Sequence, residues 1–425
     1  MRTSTTWCAV AGVAAGLAGP ATVRAQERPT STTDSLIAEV HALNARLDSL
    51  AWLVDSLRTA RADTLEVVDE LAALRAAAAA AGEQADTTAA EGTQGGPPVG
   101  SLNRLNPEIS ITGDVRLAAV RPGPQADNVD LREFEFAFQA ALDPYASTKI
   151  FLSFEEGELD LEEGYAYWSG LPGGFRVDLG RLRQQVGDLN RVHLHALPES
   201  EYPLVYRTYF GEEGLVGNGL RVYWLAPFDG PGGATHELWG ELTVGESEEL
   251  FQKGDRLSVL GHLNNFWQLG RSSFFQVGGT VAYGENPDEE LKARLFGADL
   301  RYTWRPPGRG LYRSFTLRGE AYAVHQERGG IGGTRYGAYL GAEYQLGRSW
   351  FAGARFDYVE LLEGPSGRHE WAIVPRITWW QSEWVMLRAE WQHSSTPDLV
   401  GERDTSDRWL IQAVWAVGPH KHESY

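Results

Sequence analysis

The chain is poor in cysteine, in methionine and in long apolar runs. Its 425 residues include one cysteine and two methionines. The cysteine, Cys8, lies in an N-terminal segment that we expect to be removed, so the mature protein would contain no disulfide. After that segment there is no run of about 18 or more consecutive apolar residues, which excludes a protein that crosses a membrane with helices.

Positive charge is also scarce. The sequence has 38 Lys and Arg against 57 Asp and Glu, a formal net charge of −19, and nucleic acid would repel such a polyanion. Enzyme motifs are missing as well: there is no G-x-S-x-G, no phosphate-binding loop, no H-E-x-x-H and no paired-cysteine metal spacing. We therefore expect no nucleic-acid partner and no enzymatic activity.

The first quarter of the chain divides into three segments. Residues 1–25 contain an apolar stretch and the small-residue pattern Val23-Arg24-Ala25, which predict a signal peptide, with a membrane anchor as the alternative. Residues 34–81 carry a heptad that predicts a periplasmic coiled coil, with a single amphipathic helix folded back on the protein as the alternative. Residues 82–106 are rich in Gly, Thr, Pro and Ala and predict a flexible linker. The heptad positions are Leu36, Val40, Leu43, Leu47, Leu50, Val54, Leu57, Val68 and Leu71.

From about residue 108 to the end, apolar and aromatic residues recur at every second position. A period of two places one set of side chains on each face of a β-strand. Aromatic residues near the strand ends, with Gly and Ala between them, suit a lipid-facing wall with aromatic girdles. The clearest runs are Phe134, Phe136, Phe138, Ala140 and Leu142; Tyr336, Ala338, Leu340, Ala342, Tyr344 and Leu346; and Trp409, Ile411, Ala413, Trp415 and Val417.

The pattern predicts an all-β membrane protein, a 16-stranded antiparallel transmembrane β-barrel over residues 107–425, preceded by the α-helical coiled coil. A barrel of this size leaves an aqueous channel. Short turns are expected at one end of the barrel and longer loops, such as 326–333, at the other. The sixteen predicted strands lie near 108–119, 130–142, 147–157, 159–169, 174–184, 215–226, 235–245, 256–267, 272–284, 292–304, 312–325, 334–346, 349–361, 369–381, 383–394 and 407–418.

Charged residues occupy the opposite parity of these strands and would therefore line the pore. Such residues can sort solutes by charge; the alternative is that they form salt bridges that hold a wet barrel interior together. Acids and bases are nearly balanced, with slightly more acid, which argues against strong phosphate or anion selectivity. The predicted lining residues are Asp114, Arg116, Glu133, Glu135, Lys149, Arg176, Asp178, Arg221, Asp299, Arg301, Arg318, Glu320, Arg355, Asp357, Arg376, Arg388 and Glu390.

The longest predicted loop runs from about residue 185 to 214 and carries two histidines two residues apart. His193 and His195 have a counterpart in His420 and His422, close to the C-terminus. In an extended chain each pair projects to one side, so the two pairs would hold a metal ion such as zinc if they met. The alternative is ordinary loop and terminal histidines. We expect no cofactor other than this zinc.

Three stretches within residues 106–226 carry a family resemblance. They are Asn106-Pro107-Glu108-Ile109-Ser110-Ile111-Thr112-Gly113-Asp114, Glu162-Glu163-Gly164-Tyr165-Ala166-Tyr167 and Val177-Asp178-Leu179-Gly180-Arg181-Leu182-Arg183. They resemble the front half of a Gram-negative porin family related to the phosphate-selective (O/P-type) porins, in which an N-terminal coiled coil is also seen. The lysine and arginine run through the constriction of those relatives is not reproduced here.

The resemblance implies a sixteen-stranded barrel, commonly trimeric, with an early loop that folds inward and constricts the channel. In this chain that role falls on residues 185–214. The charged and histidine residues of this constriction loop are Asp188, Arg191, His193, His195, Glu199 and Arg207.

These features predict a porin in the outer membrane of a Gram-negative bacterium, in contact with its lipid, through which small hydrophilic solutes or ions diffuse passively. The coiled coil would lie in the periplasm and join the chains of a homotrimer. Two other functions stay open. One is a barrel that binds a metal ion or another specific ligand, and the other is an envelope tether in which the barrel anchors the coiled coil.

Overall fold

The structure is a computed structural model that describes residues 107–122, 128–155, 158–245, 247, 250, 256–286, 291–328, 331–364, 366–398 and 402–418. The predicted signal peptide, coiled coil and linker lie outside these residues, and so do His420 and His422. Within the described part of the chain, no helix combines the length and the apolar character needed to cross a membrane.

Sixteen antiparallel strands form one closed barrel, in which each strand pairs with its neighbours in sequence. Pairing of the first strand with the last, with Ile111 opposite Val417, closes the sheet. The predicted 16-stranded antiparallel barrel is thus confirmed. The strands are β1 Glu108–Arg121, β2 Asn128–Ala141, β3 Ala146–Glu155, β4 Glu158–Leu171, β5 Phe175–Arg183, β6 Val216–Leu225, β7 Thr235–Gly245, β8 Ser258–Leu269, β9 Ser273–Asn286, β10 Leu291–Trp304, β11 Phe315–Arg328, β12 Ile331–Gln345, β13 Trp350–Glu360, β14 His369–Trp380, β15 Val385–Pro397 and β16 Arg403–Val417.

Large apolar side chains remain exposed on the outer face of the barrel. In β12 these are Tyr336, Leu340 and Tyr344, and in β16 they include Trp409 and Ile411. A soluble protein rarely exposes so much contiguous apolar surface. A closed sheet has no free edge and satisfies its backbone groups internally, so this wall suits contact with lipid.

Exposed aromatic residues gather at the end of the barrel where the even-numbered strands finish, which we call the turn end. Aromatic rings pair there: Phe175 stacks on Trp224 with centroids 6.0 Å apart, and the tilted rings of Trp350 and Trp379 have centroids 6.1 Å apart. Such a belt is typical of the membrane–water interface. The exposed aromatic residues at this end are Tyr145, Phe175, Phe228, Tyr312, Trp350, Trp380 and Trp384.

The opposite end, which we call the loop end, differs from the prediction at β11 and β12. The sequence predicts a long loop over 326–333, but only residues 329–330 separate the two strands. Gly332 and Gly333 belong to β12, because the ladder with β11 continues through them to Gln326 and Glu327. Glycine is depleted in strands, so these residues were expected in a loop.

Two β-bulges turn adjacent residues to the inside of the barrel. The register of β2 against β1 shifts by one residue, and Arg132 and Glu133 are both buried. The register of β4 against β3 shifts in the same way, and Glu162 and Glu163 are both buried. A bulge adds one residue to one strand and so interrupts the alternation of faces.

The connection between β5 and β6, residues 184–215, lies inside the barrel, and we call it the inner loop. It contains a 3₁₀ turn, Leu194–Ala196, and one short helix, α1, Leu204–Tyr209, which packs on β12, β13 and β14. One hydrophobic cluster joins inner-loop residues such as Leu189 to wall residues such as Leu295 and Val324. The inner loop covers this part of the inner wall, which can therefore be apolar although the barrel interior is otherwise polar.

We expect an arginine at the centre of the outer face to destabilise the barrel. Leu340→Arg would place a charge in lipid near the middle of β12 and cost about 2–4 kcal/mol, measured by guanidinium unfolding in lipid vesicles. The matched control is Gln392→Arg, because Gln392 borders a cavity inside the barrel. Equal losses for the two variants would contradict the assignment of faces.

Candidate functional site

The base of the inner loop is closed by one buried asparagine. Asn190 Nδ2 donates to the carbonyl oxygens of Gln184 and Leu215, at 2.7 and 2.8 Å, and its Oδ1 accepts from the amide of Leu215 at 2.8 Å. Gly187 near the start of the loop has a φ of +67°, and a Cβ there would collide with the Glu320 carboxylate. Only glycine meets both demands without strain, so the loop passes very close to β11.

Glu320 on β11 is the first attachment of the inner loop to the wall. Its Oε1 accepts the backbone amides of Asp188 and Leu189, at 3.0 and 2.9 Å. Its Oε2 accepts the hydroxyl of Tyr206 on α1 at 2.6 Å. The hydroxyls of two wall residues, Tyr322 and Tyr339, also donate to this carboxylate. A buried carboxylate with this many donors holds both ends of the loop in place.

Arginines of β13, β14 and β15 form a second attachment. Glu199 Oε2 lies 3.1 Å from Nη1 of Arg355, and its Oε1 lies 3.3 Å from Nη2 of Arg376. Nη2 of Arg388 donates to the carbonyl oxygen of Leu197 at 2.8 Å. Burial alone would raise the pKa of Glu199, but Arg376 and Arg355 outweigh it and lower that pKa to about 2.

A third attachment lies beside the second, toward β1 and β16. Glu201 Oε1 lies 2.6 Å from Nη1 of Arg408 and 3.4 Å from Nη1 of Arg116, and its Oε2 lies 3.2 Å from Nη1 of Arg207. Burial acts to raise the pKa of Glu201, but Arg207 and Arg408 lower it to about 2. The loop carboxylates thus face wall arginines.

Four glutamates of β2 and β4 form an acidic patch that receives the two histidines of the loop. His195 Nδ1 lies 2.9 Å from Glu133 Oε1, and His193 Nδ1 lies 3.0 Å from Glu162 Oε2. Burial would lower the pKa of both imidazoles, but the Glu135 carboxylate raises the pKa of His195 and raises that of His193 well above its usual range. The acidic patch consists of Glu133, Glu135, Glu162 and Glu163.

Among the predicted lining residues, acids and bases differ in burial. Every acid among them is buried, and so are several of the bases. The four that keep partial exposure are all arginines: Arg116, Arg176, Arg301 and Arg318. Most of the predicted set therefore contacts the inner loop or a neighbouring wall residue rather than open water. The buried members are Asp114, Glu133, Glu135, Lys149, Asp178, Arg221, Asp299, Glu320, Arg355, Asp357, Arg376, Arg388 and Glu390.

The residues predicted to form the constriction also differ in how deeply they are buried. His193, His195 and Glu199 are buried in the attachments just described. Asp188 Oδ2 lies 3.5 Å from Nη1 of Arg301, and Nη1 of Arg191 donates to Gln185 within the loop at 3.2 Å. Nε of Arg207 pairs with the exposed Glu212 at 2.9 Å.

Among the described residues, a cavity lies inside the barrel toward each end. The cavity at the loop end has a volume of about 770 Å³ and is bordered by Arg207, Glu370, Gln392 and Arg408 among others. The cavity at the turn end has a volume of about 320 Å³ and is bordered by Phe266, Phe274, Gln276, Arg301, Thr303 and Arg305. Polar and charged side chains border both spaces.

Several site residues were not predicted from the sequence. Glu162 and Glu163 are not among the predicted lining residues, because strict alternation allows only one of two neighbours to face inward and the bulge is not visible in the sequence. Tyr322 lies on the same strand face as Glu320, and Tyr339 on the same face as Glu343, so alternation alone could have predicted that both tyrosines face inward. Their shared hydrogen bonding at Glu320 could not be predicted, because it includes Tyr206 of the inner loop, which is far away in sequence.

Comparison with known proteins supports the fold. No family model matches the chain. An uncharacterized protein of Aquifex aeolicus (strain VF5) is 29% identical over 274 residues, which is 55% of this chain and 55% of that protein. The match thus spans about half the length of this curated relative.

Solved porin structures resemble the barrel over most of their length. An anion-selective porin from Comamonas acidovorans is 11% identical with a TM-score of 0.52, covering 73% of this chain and 100% of that one. The outer membrane channel DcaP of Acinetobacter baumannii is 11% identical with a TM-score of 0.50, covering 74% and 97%. Salmonella typhi OmpF, in complex with daunomycin, is 8% identical with a TM-score of 0.50, covering 74% and 99%. The barrel is porin-like.

We expect removal of the Glu199 charge to loosen the inner loop. Glu199→Gln leaves Arg355 and Arg376 buried without their shared anion, and breaking such a buried pair costs about 3–5 kcal/mol. Cleavage of the inner loop by an added protease should become measurably faster. The matched control is Glu212→Gln, since Glu212 is an exposed residue of the same loop. Unchanged protease resistance in Glu199→Gln would contradict the attachment.

The attachments of Glu199 and Glu201 should resist mild acid. A carboxyl with a lower pKa in the folded than in the unfolded state stabilises the fold above its unfolded pKa, about 4.3, and loses that effect as the pH falls through its folded pKa. With both folded values at about 2, these two contacts should be intact from pH 7 to pH 5 and weaken only below. Protease resistance followed against pH tests this, and a loss above pH 5 that Glu199→Gln abolishes would contradict it.

Proposed function

We propose that the protein is an outer-membrane porin of a Gram-negative bacterium that lets small hydrophilic solutes or ions diffuse passively. The observation that carries the proposal is a long loop held inside a sixteen-stranded barrel with an apolar outer face. A loop in this position sets the width of the passage, and the side chains it leaves accessible set the preference for charge.

The accessible charges favour anions. Burial and pairing remove the predicted lining acids from solvent contact, whereas Arg176 and Arg301 keep 26% and 29% of their side-chain surface exposed. Glu343 on the same inner face keeps 28% and Glu212 of the inner loop keeps 71% of its side-chain surface exposed, and both partly offset the arginines. We therefore propose a modest anion preference, although the sequence totals of acid and base are nearly balanced. The structural likeness to a porin described as anion-selective agrees with this sign.

The proposal includes three features that rest on the sequence. These are kinship with the O/P-type porins, a homotrimer joined by the periplasmic coiled coil over 34–81, and the absence of catalysis. The passage of solutes needs no reacting group, because the wall and the inner loop act only through width and charge. The tether function would need the coiled coil but no conductance.

Single-channel recording in planar bilayers tests the proposal. We expect ohmic conductance and, in a KCl gradient, a reversal potential that indicates a preference for chloride. Arg301→Gln should reduce this preference, because it removes an accessible cation from the inner wall. The matched control is Arg294→Gln, since Arg294 is an exposed arginine of the same strand on the outward parity.

Three results would contradict the proposal. A protein that forms folded barrels but no channels would favour the tether, and more so if deletion of 34–81 loosens the envelope. Cation selectivity of the unaltered protein would reject the proposed sign. Equal shifts in Arg301→Gln and Arg294→Gln would reject the role of Arg301.

A further inference from the structure

The acidic patch and His193 bring three metal-ligating groups to one point. His193 Nδ1 lies 2.9 Å from Glu135 Oε2 and 3.0 Å from Glu162 Oε2. All three residues are buried, and one ligand atom from each lies within 4.8 Å of the others. They come from the inner loop, β2 and β4, so only the folded chain assembles them.

Carboxylate oxygens in this patch are not fully used by protein donors. Oε1 of Glu135 and Oε1 of Glu162 are both buried and meet no hydrogen-bond donor among the described residues. Glu135 is fully buried. A buried anionic oxygen without a donor is costly, and a cation is the partner that such oxygens accept.

The spacing of the three groups suits a small divalent ion. Zinc binds nitrogen and oxygen ligands at about 2.0–2.2 Å, so two ligands at a tetrahedral angle are about 3.4 Å apart. To admit an ion, the present separations of 2.9 and 3.0 Å need a small outward movement of the side chains. The ion must also displace the proton that His193 Nδ1 shares with these carboxylates, and that proton is released to solvent.

The groups behind the three residues also fit a metal centre. Glu163 Oε2 lies 3.2 Å from Nε2 of His193, the ring nitrogen that faces away from the other two glutamates. The second ring N–H of a metal-bound histidine commonly donates a hydrogen bond to a carboxylate in this way. Arg183 Nη2 donates at 2.6 Å to Oε2 of Glu162, the same oxygen that lies 3.0 Å from His193 Nδ1. A rotation of this carboxylate that turns its unpartnered Oε1 toward His193 would therefore accompany the binding of an ion.

We propose that Glu135, Glu162 and His193 form a binding site for a divalent transition-metal ion, with Zn²⁺ as the probe. Glu163 acts as a positioning residue that orients the imidazole. The single imidazole favours zinc over magnesium, because Mg²⁺ prefers oxygen ligands and keeps most of its water. An ion bound here would join the inner loop to β2 and β4 and strengthen its attachment to the wall.

This site differs from the one predicted from the sequence. That prediction required His193 and His195 to meet His420 and His422. The structure instead supplies glutamates of the barrel wall as partners of His193, and places His195 Nδ1 2.9 Å from Glu133. Substitution of His420 and His422 therefore distinguishes the four-histidine site from the site formed by Glu135, Glu162 and His193.

The test is metal binding by the full chain in detergent, stripped with EDTA and dialysed against Zn²⁺ or Mg²⁺ near neutral pH. Bound metal is measured by mass spectrometry, and the resistance of the inner loop to protease is measured with and without Zn²⁺. We expect one Zn²⁺ per chain, little Mg²⁺, and greater protease resistance with Zn²⁺. His193→Asn should abolish binding, and Glu163→Gln should weaken it about 10- to 100-fold.

Two matched controls should keep full zinc binding. One is His262→Asn, since His262 is a buried wall histidine on β8 outside the patch. The other is the double variant His420→Asn/His422→Asn. Heat-modified gel mobility verifies that each variant still forms a barrel, and Glu163→Gln gives a graded readout if His193→Asn does not fold.

Three outcomes would overturn the site. They are no zinc above the level of unfolded protein, zinc that survives in a folded His193→Asn barrel but is lost from the His420/His422 double variant, and uptake of Mg²⁺ equal to that of Zn²⁺. None of these measurements uses conductance, so failure of the metal site leaves the porin proposal untouched.

Discussion

The interior of this barrel depends on the pairing of buried charge. Carboxylates on the inner wall are removed from water by the inner loop, and a buried carboxylate is tolerated only when donors or cations surround it. The inner loop supplies these partners itself, as backbone amides and a tyrosine hydroxyl at Glu320 and as imidazoles at the acidic patch. Where the wall carries arginines, the loop supplies the carboxylates instead: Glu199 pairs with Arg355, and Glu201 pairs with Arg408. Charge complementarity with the wall, together with the hydrophobic cluster that the loop shares with it, thus sets the position of the loop.

This pairing also determines which charges a solute would meet. The predicted lining acids are all buried, whereas Arg176, Arg301 and Arg318 keep part of their surface in contact with water. A chain with a formal net charge of −19 therefore still exposes arginines on its inner wall. Net charge describes the whole molecule, but a passage is sensitive only to charges that are accessible and unscreened.

Much of the barrel could be predicted from the sequence, because a strand fixes the direction of each side chain by its parity. Trp409 and Ile411 face outward, and Asp357 and Glu390 are buried inward, as alternation requires. Prediction failed where alternation is interrupted or extended. The bulge at Glu162 turns two neighbouring acids inward, and Gly332 and Gly333 continue a strand that their low propensity argues against.

The sequence by itself determined the strand number, the lipid-facing parity and the presence of one long early connection, because these follow from local periodicity and from interruptions in it. Only the tertiary structure decided what that connection does. Asp188 and Glu320, or Glu199 and Arg376, are far apart in the chain and meet because closure of the sheet brings β11 and β14 around the loop. No local pattern encodes such distances, so the assembly of Glu135, Glu162 and His193 is a property of the closed barrel.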